Sequence, residues 1–231
     1  IPFAHGGQAW QDATVFEAVA MGIGGNNYYK NCYVDLKETC LRSETTVKVF
    51  DQMRKLQGFT DEGSPGRDWN VATGMVIEGK AGFQIMGDWA KGEFTAAGKV
   101  PGVDYYCAAT PSNNGYLYNV DSFIFYKSSD PDKQAGQKLL AKLMMGKNFQ
   151  KVFNLYKGSI PARLDVPMDE FDKCAKTSNA DIKTAGASGG LVPSFAHGMA
   201  QGNTMKAALQ DIITEHFNSD MSSVDAANAL A

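Results

Sequence analysis

Between Trp69 and Phe94 the chain reads WNVATGMVIEGKAGFQIMGDWAKGEF: a helix, a tight turn, a short apolar run, a second turn and a second helix. Val71, Met75 and Val76 recur at helical spacing, and Gly79 follows where a left-handed closing residue is wanted. The run 81–86 is nearly all apolar and bounded by Gly79 and Gly87, which predicts a strand buried on both faces. Asp88 then offers a carboxylate as cap to the next helix, so that Trp89 stands in its first turn, at the carboxyl end of the predicted strand. Open α/β sheets bind ligands at that edge. A tryptophan there either closes the core above the sheet or offers its flat face to a ligand in a cleft.

The 231 residues, 44% of them apolar, suffice for a core arranged as one large domain or as two lobes. A formal charge of −3 with no block of Lys or Arg argues against a nucleic-acid partner, because phosphates are held by clustered positive charge. No apolar run approaches the ~18 residues of a membrane-spanning helix. The opening IPFAHGGQAW has neither Met nor a charged-then-apolar leader, and reads as the interior of a longer protein.

Asp12 offers a cap to a helix over 13–23, with Val15, Phe16, Val19 and Ile23 on one face and Gly22, Gly24 and Gly25 at its end. Trp10 and Gln11 stand just before it, either facing a cleft or packing. Ser43 caps a helix over 44–56 whose Val47, Val49, Phe50, Met53 and Leu56 form the inward stripe. Residue types predict strands over 103–109 and 118–126, with TPSNNG at 110–115 as a linker. Asp121 interrupts the second strand. A carboxylate there is costly unless backbone amides satisfy it or it turns into a wet cleft.

Asp130 and Pro131 open another helix, and a further one ends at Lys157, where a cation favours the helix dipole and is ordinarily solvated. A helical stretch over 166–183 runs into GASGG at 186–190. His197 follows in SFAHGMAQG; it has no second imidazole or carboxylate at ligand spacing, so no metal is expected. Two helices, over 204–217 and 222–230, close the chain.

Cys32, Cys40, Cys107 and Cys174 form no CxxC pair, which disfavours zinc and dithiol redox chemistry. The even count suits an oxidising compartment, with Cys32–Cys40 and Cys107–Cys174 as the pairing to try first. Four buried free thiols are the alternative.

The segment EGKAGFQIMGDWAKGEF, together with KGSIPAR at 157–163, closely resembles the corresponding motifs in the extracellular solute-binding proteins of bacterial sugar ABC importers, above all the glucose-binding branch. The resemblance begins partway through the family pattern and runs to the end. It implies an α/β, type II periplasmic-binding-protein-like fold, mainly one lobe with part of the second. Residues 1–112 and 165–231 would form the carboxy-terminal lobe, and 113–164 the hinge strands and a part of the amino-terminal lobe. The hinge strands fall near 110–118 and 160–167.

By the same resemblance Trp89 stacks on a sugar ring, Asp121 accepts from sugar hydroxyls, Lys157 reaches the sugar, and His197 is a further ligand residue. The implied partners are a monosaccharide, glucose first, an ABC permease in the membrane, and a missing amino-terminal portion of the same protein. The implied location is periplasmic or extracytoplasmic, with no cofactor.

The chemistry agrees with that set. Sugars need an aromatic plate for their C–H patches and polar groups that satisfy hydroxyls in pairs. At about 0.5–1.5 kcal/mol per hydrogen bond, four side chains fall short of the roughly −8 kcal/mol of micromolar binding. A second wall is required. Two other readings compete: a glycosidase using Asp88, Glu93 and Asp121 as its acid pair, although no nucleophile elbow or HExxH occurs, and a structural fragment that has lost its ligand.

Overall fold

The computed structural model describes residues 1–112 and 115–231; Asn113 and Asn114, inside the expected linker, lie outside the described residues. In chain order the elements are α1 (Ala9–Tyr29), a π-helical turn (Lys30–Val34), α2 (Glu38–Leu41), α3 (Glu44–Gln57), α4 (Trp69–Ile77), a 3-10 turn (Asp88–Ala90) and α5 (Lys91–Ala96). Then come β1 (Tyr116–Tyr118), α6 (Pro131–Met144), α7 (Lys147–Lys157), α8 (Lys173–Ala187), β2 (Leu191–Pro193), α9 (Asn203–Asn218) and α10 (Ser223–Ala229).

The main core forms where α1 lies against α3 and α9. Phe16, Met21 and Tyr29 of α1, with Tyr33 just beyond it, meet Phe50 and Met53 of α3 and Leu209, Ile213 and Phe217 of α9. Periodicity explains α3: its apolar stripe faces inward, and Ser43 caps it by accepting from Thr46 N. Two carboxylates are buried on α1, and each is satisfied. Asp12 meets His5 Nε2 at 2.6 Å and accepts from Thr214 Oγ1 at 2.8 Å, joining α1 to α9 and to the first residues of the chain.

Several expected boundaries move. The helix expected to close at Gly22–Gly25 instead runs on to Tyr29 across a break at Gly25 (φ 72°), because Tyr29, Cys32 and Tyr33 are all drawn into the core. Residues 81–86 are not a strand buried on both faces. They lie extended beside residues 1–4, with Ala4 N donating to Phe83 O at 2.7 Å and Phe83 N to Pro2 O at 3.0 Å, and Phe83 is exposed. Among the described residues the only ladder is β1 with β2, parallel, pairing Tyr116 with Leu191 and Tyr118 with Pro193.

The strand expected over 103–109 is a turn with one bridge between Pro101 and Tyr105, and that expected over 118–126 is ordered as strand only at its first residue. Strand formation needs a neighbour to accept its N–H groups, and none lies beside 119–126 among the described residues. Val120, Phe123, Ile124, Tyr126, Leu139 and Leu143 are accordingly exposed. The helix expected from 166 starts at Lys173, where Asp172 caps it by accepting from Ala175 N.

Disulfides join Cys32 to Cys40 and Cys107 to Cys174. The second ties the loop after α5 to α8. No helix of the described residues is long and apolar enough to cross a membrane.

Candidate functional site

Gly87 sets the position of Trp89. A Cβ on Gly87 would lie 2.0 Å from the six-membered ring of the indole, so the ring folds back over bare backbone and is left half-buried. Asp88 does not cap α5. Its Oδ2 accepts instead from Ile160 N at 3.1 Å, and burial pushes its carboxyl above the usual range. The same seam is closed by two glycines, with Gly158 at φ 90°: a Cβ on Gly158 would stand 2.7 Å from Gly92 N, and one on Gly92 would stand 2.9 Å from Lys157 O. Lys91, buried, pairs with Asp172 at 2.8 Å. The end of α7 is thereby fastened to the turn that carries Trp89, which fixes where Lys157 stands.

Lys157 donates to Asp121 Oδ2, and Asn119 Nδ2 donates to Asp121 Oδ1 at 3.3 Å. The Lys157 ammonium, and more weakly His197, hold the Asp121 carboxyl below the usual carboxylate range. Asp121 stays exposed, with free acceptor capacity.

His197 stands edge-on to both Trp89, with ring centroids 5.2 Å apart, and Trp10, at 5.9 Å. Trp10 Nε1 donates to Gln8 Oε1 at 2.8 Å. Gln11 does not face a cleft: it is wholly buried, its Nε2 donating to the same Gln8 oxygen at 2.9 Å. On the inner side, Ser194 Oγ lies 2.8 Å from His197 Nδ1 and donates to Glu17 Oε1 at 2.6 Å. Glu17 Oε2 accepts from Tyr29 O–H at 3.0 Å and from Ala196 N at 3.2 Å. Burial, then the Glu17 charge, push the Tyr29 hydroxyl well above its ordinary value, so it keeps its proton. His197 Nε2 is buried without a hydrogen-bond partner among the described residues.

Of the residues singled out in the sequence, Trp10, Trp89 and His197 are joined by ring contacts, and Asp121 and Lys157 by an ion pair whose carboxylate also feels His197. Gln11 is a supporting residue behind them. Asn119, Glu17 and Ser194 escaped the sequence reading. Two signals were present: a lone carboxylate inside the apolar helix VFEAVAMG, and a serine three residues before the histidine in SFAH.

The pattern of the bacterial extracellular solute-binding proteins matches residues 3–211. The chain belongs to that family. Over 230 residues it is 47% identical to a probable sugar-binding periplasmic protein of Brucella suis biovar 1 (strain 1330), covering 99% of this chain and 54% of that protein. A protein of the same description from Rhizobium meliloti (strain 1021) is 45% identical over 230 residues, or 99% of this chain and 55% of that one. The chain thus spans about half the length of the curated relatives it matches.

Two solved structures share the fold. A Streptococcus pneumoniae solute-binding protein in complex with the blood group A-trisaccharide superposes with a TM-score of 0.66 at 17% identity, over 99% of this chain and 57% of that one. A chitin oligosaccharide binding protein gives 0.69 at 15%, over 99% and 58%. The resemblance read from GDWAKGEF and the periplasmic-binding-protein-like fold class therefore hold, with this chain as part of that fold.

Extracellular solute-binding proteins work outside the cytoplasmic membrane and bind their solutes without turning them over, which disposes of the glycosidase reading. The Ser194–His197–Glu17 grouping, hydrolase-like in residue type, agrees: Ser194 is buried and its proton is committed to Glu17.

Proposed function

We propose that this chain is the ligand-contacting carboxy-terminal part of a sugar receptor serving an ABC importer, with a monosaccharide of the glucose type as its ligand. The observation that carries the reading is the grouping of an indole plate, an acceptor, a cation and an imidazole around Trp89, Asp121, Lys157 and His197. Trp89 stacks on the C–H face of the sugar. Asp121 accepts from its hydroxyls, Lys157 donates, and His197 offers its unpartnered Nε2. Relatives whose names describe sugar binding support the substrate class.

The second wall comes from protein beyond this chain. Residues 1–112 and 165–231 form one lobe, and 113–164 carries the hinge and reaches the other. The apolar residues left open at 120–143, and a depression of about 520 Å³ lined by Phe149, Val152, Phe153, Tyr156 and Lys157, support that division, since a monomer rarely leaves such surface uncovered. Closure of the two lobes buries the sugar and presents the loaded receptor to its permease. Indole fluorescence tests the reading. In a protein of the relatives' full length, D-glucose shifts the emission saturably and an amino acid does not; a response to the amino acid alone overturns the sugar assignment.

A further inference from the structure

His197 is served on its inner side by a proton relay that runs in one direction only. Glu17, as a carboxylate, can only accept, and it takes Ser194 O–H, Tyr29 O–H and Ala196 N–H. The single hydroxyl proton of Ser194 is therefore spent on Glu17 at 2.6 Å. Two lone pairs remain on Ser194 Oγ. One accepts the backbone N–H of His197 at 3.1 Å, and the other faces His197 Nδ1 at 2.8 Å. An oxygen with no proton left to give can only receive, so Nδ1 carries the hydrogen.

From this we infer that Glu17 and Ser194 are positioning residues that lock neutral His197 as its Nδ1–H tautomer and keep Nε2 as a bare acceptor reserved for a ligand hydroxyl. The ligand role of Nε2 rests on the sugar-binding reading above, whereas the tautomer does not. Nε2 is buried and without a partner among the described residues, on an imidazole that packs against both Trp10 and Trp89. An unmet buried acceptor is unfavourable, and a ligand O–H that reaches it relieves it. Ligands with a hydroxyl at that point gain; deoxy or methoxy analogues cannot supply the proton. Asp121, paired with Lys157, is also an acceptor, so the site presents two acceptors and one cationic donor.

The relay predicts its own reversal. In Glu17→Gln, the amide cannot direct its NH₂ at Ala196 N–H, donor against donor, and turns it to Ser194. Ser194 then donates to Nδ1, and the imidazole proton moves to Nε2.

The test is two-bond ¹H–¹⁵N correlation spectroscopy of the imidazoles in the full ¹⁵N-labelled chain at about pH 8, well above the ordinary histidine value of roughly 6.5. Loss of one of the three histidine patterns in His197→Gln assigns the signal. Expected are the Nδ1–H pattern in the native chain and the Nε2–H pattern in Glu17→Gln. An Nε2–H native chain overturns the inference, as does a folded Glu17→Gln that retains Nδ1–H. If Glu17→Gln does not fold, the native spectrum still decides. No sugar is present, so failure of the sugar assignment leaves the result intact; conversely, a correct tautomer with no sugar response in the fluorescence titration would sink only the sugar reading.

Discussion

Trp89 and His197 meet edge to face, with ring centroids 5.2 Å apart, although one stands in the turn before α5 and the other follows β2. The contact joins the GDW turn to the SFAHG loop and makes one wall from two distant segments. If Trp89 is the stacking plate of the proposed receptor, removing it removes the C–H contact with the ligand. Trp89→Ala is expected to weaken sugar binding by at least about 30-fold, roughly 2 kcal/mol, in a protein of the relatives' full length, with Trp89→Phe intermediate; calorimetric titration reads it.

Asp121 and Lys157 form an exposed ion pair, and such pairs add little to stability. Asp121→Asn should leave the urea midpoint nearly unchanged while lowering sugar affinity by about tenfold or more. The pH dependence has a definite sign. Because Lys157 holds the Asp121 carboxyl below the usual range, the charged acceptor survives mild acid and is lost only as pH falls through that lowered value. Affinity that fell between neutral pH and about pH 5 for this reason would contradict the pairing.

The seam between Gly92 and Gly158 fixes the height of Lys157 against Trp89. Gly158→Ala places a Cβ 2.7 Å from Gly92 N at a φ of 90°, and is expected to cost about 1–3 kcal/mol. Denaturant unfolding should show a lowered midpoint with an unchanged slope. Gly136→Ala, inside α6 with open space around it, is the control and should be neutral or slightly stabilising.

Local rules made much of this legible. Ser43, Asp130 and Gly158 act at the ends of α3, α6 and α7 as their residue types dictate, and the apolar stripe of α3 faces the core. The failures were non-local. Residues 81–86 and 119–126 have strand-like side chains, but a ladder depends on what lies alongside, and only residues 1–4 lie beside the first. Asp88 had a free choice between its own helix and Ile160 N, which sequence spacing cannot decide. Trp89, Asp121, Lys157 and His197 stand out as candidates through a family motif. Glu17, whose partners Ser194 and Ala196 come from the far end of the chain, had only its polarity in an apolar helix to betray it.

His216 is buried between Phe50 and Ser223, and desolvation pushes its pKa down to about 4. The folded state holds it neutral while the unfolded chain takes up a proton near pH 6.5, so its contribution is full above that value. It is lost as pH falls from about 6.5 to about 4, on the order of 3 kcal/mol. His216→Gln should flatten that part of the stability curve measured by urea unfolding.

The two disulfides close loops of unequal span, with sequence separations of 8 and 67. Chain entropy then predicts about 2.5 kcal/mol for Cys32–Cys40 and about 4.4 kcal/mol for Cys107–Cys174. Paired Cys→Ser variants should rank in that order in thermal unfolding.

Calorimetric titration of D-glucose, into this chain and into a protein extended to the relatives' full length, tests the proposed receptor most directly. The extended protein is expected to bind at micromolar or better, and this chain weakly or not at all, because in the proposed receptor Trp89, Asp121, Lys157 and His197 supply only part of the ligand's surroundings. Micromolar binding by this chain alone, or none by the extended protein, would contradict it.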